Sequence, residues 1–272
     1  MNRKLFFLVC IFFNHLVFAN NAIMGVSGGI IIAPLNEINT ENAQILSKEY
    51  EGSEYVIFGV PYSLVENIVN IENNKIVISP KNYGESRINI TDSSKVSLSA
   101  ENQARATKEA LLIKGNIGTY SDILLSDLDF KLPVDGIISS KFGKKRYIND
   151  MPRSPHMALD IAAPEGTSIF SPSAGKVILV GDFFYGGKYA LLDHGMGLLT
   201  SYSHMSRVNV KEGMVIKKGK EIGLVGSSGR VTGPHLHWTV YLNKERVNPE
   251  LFLNNNIVKT FQPYACIHYF VT

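Results

Sequence analysis

The chain has 272 residues, 27 Lys+Arg against 24 Asp+Glu and only two cysteines. A net charge of +3 is too small to imply a nucleic-acid partner or a steering field, so no nucleic acid is expected among its partners. The length is enough for two modest domains of roughly 100–150 residues each.

Arg3 and Lys4 precede an apolar run from Leu5 to Phe18 that only Asn14 and His15 interrupt, and Val17-Phe18-Ala19 closes it. This is the layout of a secretory signal peptide over residues 1–19. The run falls short of the roughly 20 apolar residues of a membrane span. Val9 before Cys10 does not fit a lipoprotein signal, so no lipid anchor is expected. Cleavage would remove two basic and no acidic residues and leave a net charge of about +1. Of the cysteines only Cys266 would remain, which excludes an internal disulfide and leaves stability to burial. The expectation is a secreted protein with no transmembrane segment after signal cleavage.

Residues 20–98 contain short apolar runs bounded by turn residues. Gly29-Ile30-Ile31-Ile32, Tyr55 to Val60 and Lys75 to Pro80 have the length and β-branched content of strands. Arg87 to Ile90 and Lys95 to Leu98 alternate apolar and polar residues as half-buried strands do. A small antiparallel β domain without a catalytic cluster is expected there. Residues 99–130 form a connection: Ser99 to Lys114 favours helix, Gly115 is a stop signal, and Asn116 to Asp129 reads as a polar linker.

From Lys131 the sequence turns into short strands separated by glycine turns. Gly175 to Val180, Tyr189 to Leu192, Ile222 to Val225 and His237 to Tyr241 are strand candidates. Their spacing predicts an all-β domain over residues 131–253, followed by a tail at 254–272 whose apolar end (Tyr269, Phe270, Val271) could form a last strand.

Three histidine contexts lie in this domain. In Ser154-Pro155-His156-Met157-Ala158-Leu159-Asp160 an imidazole and a carboxylate stand four residues apart. Pro152, Pro155 and Pro164 argue against a helix, but an even spacing on an extended segment also shares a side. In Gly233-Pro234-His235-Leu236-His237-Trp238 the two histidines alternate along a strand and face one way. Tyr202-Ser203-His204 is the third context. A catalytic zinc takes three N or O ligands and keeps one position open. His156, Asp160 and one histidine of the His-x-His pair supply that count. The other histidine of the pair, with His204, could take a proton from a zinc-activated water and steady charge on an attacked carbonyl. Each context alone occurs by chance; their joint occurrence in one glycine-rich β region carries the reading. His194 reads as structural and His268 as incidental.

The region from Lys131 to about Phe252 resembles the LytM/lysostaphin-type M23 zinc metallopeptidases. Four segments match in order: Gly136 to Gly143, Ser154 to Thr167, Asp193-His194-Gly195-Met196-Gly197 with Tyr202-Ser203-His204-Met205, and Gly226 to His237. The resemblance implies a mainly β protein, with a small antiparallel β N-terminal domain, a connecting helix and a C-terminal all-β LytM-type peptidase domain. It implies zinc on His156, Asp160 and His237, with His204 and His235 as catalytic histidines. Tyr185 stands near a substrate-facing tyrosine of some members. Two departures stand out: Ala158 replaces a usual glycine, and Lys188 replaces an asparagine common after the double glycine.

The implied activity is a zinc-dependent peptidoglycan endopeptidase of the periplasm or cell envelope. A leading β domain and no appended wall-binding repeat favour D-alanyl–diaminopimelate cross-links over glycyl-glycine bridges. The rival reading is a catalytically silent LytM-like regulator, partnered with cell-envelope proteins and activating an amidase after loss of zinc ligands. Retention of all five candidate residues argues against it. The position of the N-terminal module also suggests a cover over the cleft.

Overall fold

A computed structural model of the chain describes residues 22–37, 44–64, 67–71, 74–89, 98–257 and 259. The expected signal segment, most of the strand expected at 95–98, Cys266, His268 and the apolar end at 269–271 lie outside the described residues. Among the described residues no helix is long and apolar enough to cross a membrane.

The N-terminal region forms β1 (Ala22–Val26), β2 (Ile30–Pro34), β3 (Leu46–Tyr50), β4 (Ser53–Gly59), β5 (Asn67–Ile71), β6 (Asn74–Ser79) and β7 (Glu85–Ile88). The β-branched runs become strands: Ile31, Ile32, Val56 and Ile57 are buried, and β4 pairs antiparallel with both β2 and β3. Strand β6 is antiparallel to β5 but parallel to β1. The intervening strands provide the long connection that a parallel pair requires.

Helix α1 (Ala100–Ile117) begins at Ser99, whose side chain accepts the Asn102 backbone N–H at 3.2 Å. It runs through Gly115 instead of stopping there. Ile117 is buried, and Ile113 packs beside it against Tyr189, Leu191, Leu199 and Tyr241. That burial outweighs the roughly 1 kcal/mol disadvantage of an interior glycine. The linker also departs from expectation, because Leu128 and Phe130 are inserted into the main core.

The C-terminal region contributes β8 (Ile137–Ser140), β9 (Lys145–Ile148), β10 (Met151–Arg153), β11 (Leu159–Ala162), β12 (Ser168–Phe170), β13 (Gly175–Phe183), β14 (Gly187–Asp193), β15 (Leu198–Val208), β16 (Val215–Ile216), β17 (Glu221–Val225), β18 (His235–Leu242) and β19 (Glu245–Val247). A ten-stranded sheet carries the order β16-β13-β14-β15-β18-β11-β8. The pairings of β11 with β18 and of β18 with β15 are antiparallel. Chain-distant segments meet there, and the site is built on them.

The two regions share one core. Ile32, Leu46, Tyr55 and Ile57 cluster with Leu198, Val240, Leu242 and Val247. Strand β7 pairs parallel with β9, and the Gly28 carbonyl accepts the Asn248 N–H at 3.0 Å. The described N-terminal module thus packs directly against the C-terminal sheet.

Candidate metal centre

Register explains how the histidine contexts converge. On the antiparallel ladder Asp160 of β11 lies opposite His237 of β18, and His237 lies opposite Ser203 of β15. Leu236 and Trp238 turn into the core and are fully buried, so His235 and His237 turn the other way. His156 arrives from the loop before β11. Its backbone N–H donates to Lys144 O at 2.9 Å, and its carbonyl accepts from Gly143 N at 2.6 Å. The N-terminal module supports that turn. Tyr62 donates its hydroxyl to Gly143 O at 2.9 Å, and the Tyr83 and Phe142 rings meet edge to face at 5.4 Å. Gly143, at φ 82°, leaves no room for a side chain against Tyr83.

Asp160 Oδ1 lies 2.9 Å from His156 Nε2 and 2.7 Å from His237 Nδ1, and these two nitrogens are 3.4 Å apart. Ligands at about 2.0–2.2 Å in tetrahedral array around one zinc stand roughly 3.3 Å from each other; the two imidazole nitrogens match this at 3.4 Å, and the Asp160 distances are shorter, at hydrogen-bond length. The Lys141 carbonyl, 3.0 Å from His156 Nδ1, accepts that nitrogen's proton and leaves the Nε2 lone pair facing the Asp160 carboxylate. Two lone pairs in that position call for a proton or a metal cation between them. Burial alone would raise the Asp160 carboxyl, but hydrogen bonds and positive charge from His156 and His237, where those rings hold the proton, outweigh it and hold the group far below the usual carboxylate range. The donor set and its spacing therefore fit a metal ion. His204, His235 and His237 form a second set of convergent nitrogens that shares His237 but has no carboxylate.

The His204 and His235 rings stand 5.0 Å apart, and His204 lies 5.6 Å from His237. Both are oriented by carbonyls: His204 Nδ1 donates to Ser228 O at 3.0 Å and His235 Nδ1 donates to Gly233 O at 2.9 Å. Nε2 is therefore the nitrogen that each ring has left to offer. Burial, then the neighbouring His237 and His235, push His204 down to about 3. At neutral pH its ring is a neutral proton acceptor. His204 also holds φ at 66°, although it sits within β15. Its backbone N–H donates to Gly186 O at 2.7 Å, and the ladder register shifts on both sides of it. The irregularity re-aims the ring toward His235 and His237.

Two loops lock this arrangement. Arg230 N donates to Tyr185 O at 3.1 Å, Lys188 N to Ser228 Oγ at 2.9 Å, and Ser228 Oγ to Met205 O at 2.7 Å. Gly229 has φ 75°, and a Cβ there would stand 2.6 Å from Tyr185 O and closer still to Gly187 N. Gly229→Ala is expected to destabilise the chain by about 2 kcal/mol or more, since a left-handed backbone and a backbone clash combine. Urea denaturation measures this, and an unchanged midpoint would contradict the packing described.

Tyr185 is 40% exposed, with the Arg230 guanidinium 4.3 Å over its ring. Ala158 is fully buried and does not have a positive φ, so alanine is tolerated where a glycine is usual. Lys188 reaches Asp182 at 3.9 Å. His194 does not join the site. It is fully buried, 2.7 Å from Ala174 O through Nδ1 and 2.8 Å from Thr200 Oγ1 through Nε2. Burial pushes it down to about 4, below the ordinary 6.5. The unfolded chain takes up this proton first, so stability present above pH 6.5 is lost as pH falls towards 4. The expected loss is about 3 kcal/mol. Urea midpoints at pH 7 and pH 4 should show it, with a smaller difference for His194→Gln.

Arg146 was not signalled by any motif. Its Nη2 lies 3.8 Å from Asp160 Oδ2, brought there by β9 and therefore by the long-range β7 pairing.

Comparison with known proteins agrees with this geometry. The description "Peptidase family M23" matches residues 154–249, a span holding all five clustered residues. The peptidoglycan DD-endopeptidase ShyB of Vibrio cholerae is 32% identical over 233 residues, covering 78% of this chain and 54% of that protein. The peptidoglycan DD-endopeptidase ShyA of the same organism is 38% identical over 121 residues, 43% of this chain and 28% of that protein. The chain thus spans about half, or less, of the length of these curated relatives. The crystal structure of a Pseudomonas aeruginosa protein described as an M23 peptidase superposes with a TM-score of 0.67 at 31% identity, covering 84% of this chain and 94% of that one. A match that extends over nearly the whole of a solved relative, and a metal-ligand geometry inside the matched segment, together place this chain in peptidase family M23.

Proposed function

We propose that the chain is a zinc-dependent metalloendopeptidase that hydrolyses stem-peptide cross-links of peptidoglycan, with the D-alanyl–diaminopimelate bond as substrate. The observation that carries this reading is the convergence of His156, Asp160 and His237 beside His204 and His235, each held through Nδ1 by a backbone carbonyl. The peptidoglycan DD-endopeptidase names of the Vibrio cholerae relatives supply the substrate class.

In this reading His156, Asp160 and His237 hold the metal. When bound, zinc supplies Lewis acidity to a carbonyl and acidity to water. His204 accepts a proton at Nε2 from the attacking water and returns it to the leaving amine. His235, its Nδ1 held by Gly233 O, steadies charge developing on the carbonyl oxygen when its Nε2 carries a proton and donates it as a hydrogen bond. Tyr185, exposed on the loop that orients His204, contacts substrate. The basic and apolar start over residues 3–19 supports export across the inner membrane to the periplasm or cell envelope. The silent-regulator reading is not favoured, because no ligand has been lost.

Mass spectrometry of muropeptides after digestion of purified sacculi tests the proposal. Cross-linked dimers should become monomers, and a chelator should stop the conversion until zinc is restored. Dimers that persist with the zinc-loaded chain would rule the activity out.

A further inference from the structure

Beside the metal ligands lies a cavity of about 240 Å³ that the proposed chemistry leaves unused. His156 and His237 form one end of it. The rest of its lining includes Arg146, Arg246, Tyr189, Ser201 and Thr239. The floor follows from register: Ser201 and Thr239 are cross-strand partners on the face that carries His237. It is a floor of hydroxyls, and none of the lining residues carries a carboxylate.

Neither guanidinium is hydrogen-bonded to a carboxylate among the described residues. Arg146 is half-buried, and the carboxylate near it, Asp160 at 3.8 Å, is a metal-ligand candidate and too distant for a hydrogen bond. Arg246 has no carboxylate within 4.0 Å among the described residues; its guanidinium lies 5.8 Å from the Tyr241 ring. The Tyr189 hydroxyl is buried and makes no hydrogen bond of ordinary geometry, with Ser201 and Tyr241 as neighbours. Burial keeps that phenol protonated, and hence a donor. Two forked cations around one cavity, over a floor of hydroxyls, are a receptor for a planar anion.

We propose that this cavity is a carboxylate-binding subsite, with Arg146 as its near wall and Arg246 as its far wall. The inference rests on the peptidase reading given above. In a D-alanyl–diaminopimelate cross-link, the carbon that carries the scissile nitrogen also bears a free carboxylate. A substrate with its scissile carbonyl at the metal centre carries that carboxylate into the adjoining cavity. The subsite thus selects the leaving side of the bond by charge, and it separates such a peptide from one with an amidated carboxyl.

The test uses a synthetic D-alanyl–diaminopimelate peptide and its counterpart with that one carboxylate converted to a carboxamide. Binding of both is measured by calorimetry to the zinc-loaded full chain carrying His204→Ala, so that turnover does not intervene. The carboxylate peptide should bind about 10- to 100-fold more tightly, as a charge-assisted contact predicts. Adding Arg146→Gln or Arg246→Gln should lower that ratio about tenfold, with zinc content kept. Arg246 is exposed, so its replacement spares the fold even if the half-buried Arg146 proves sensitive. Equal affinity for the two peptides, no binding of either, or a ratio that survives both substitutions would overturn the subsite. Cleavage by the unsubstituted zinc-loaded chain is scored separately. A peptide bound with the expected preference yet never cut would remove the hydrolase reading and leave the subsite standing.

Discussion

Replacing His237 with alanine is expected to abolish both metal retention and turnover. His237 Nδ1 stands 2.7 Å from Asp160 Oδ1 and 3.4 Å from His156 Nε2, so its loss leaves two ligands where a catalytic zinc needs three. It is also the member common to both sets of convergent ligand atoms, so neither set survives intact. The expected loss of activity is at least about 1000-fold, equivalent to roughly 4 kcal/mol of transition-state stabilisation. Elemental analysis of dialysed protein should find zinc in the unsubstituted chain and almost none in the variant. A variant with undiminished zinc would reassign the ligand.

His204→Ala should behave in the opposite way toward metal. Its ring is held by Ser228 O and is not in the carboxylate-containing set, so zinc content should be unchanged. Loss of a positioned proton acceptor should lower kcat by about 10²- to 10⁴-fold. The backbone adds a second signature. His204 sits at φ 66°, where a side chain costs about 1 kcal/mol or more. His204→Gly should therefore be more stable than His204→Ala by about that amount in urea denaturation, while both are equally inactive. Equal stability of the two variants would mean that the backbone strain is absent, and a loss of zinc in either would make His204 a ligand.

The sequence shows some layers of this molecule and hides others. The candidate ligand residues are visible because their chemistry is local: His156 and Asp160 stand four positions apart, His235 and His237 two. The short β-branched strands are visible for the same reason. Strand β15 (Leu198–Val208) is the longest of the described strands and the sequence does not single it out. Its residues 198–205 are all buried, so no polar face alternates with an apolar one. Its hydroxyls are accommodated by partners that no local pattern reveals: Thr200 Oγ1 meets His194 Nε2 at 2.8 Å and Tyr202 Oη at 2.7 Å. Helix α1 passes through Gly115 because Ile117 finds a tertiary pocket, which propensity does not encode. Likewise, the pairing of β7 with β9 joins residues some sixty positions apart, yet it delivers Arg146 to the metal ligands. The same long-range packing ties the N-terminal module to the rest of the chain: Leu46 and Ile57 lie in one core with Val240 and Leu242.

Anomalous diffraction at the zinc edge, from crystals of the zinc-loaded chain, tests the central claim most directly. One peak is expected, about 2.0–2.2 Å from His156 Nε2, an Asp160 carboxylate oxygen and His237 Nδ1, with His204 and His235 outside bonding distance. A peak bound instead by His204, His235 and His237, or none in this cleft, would contradict it.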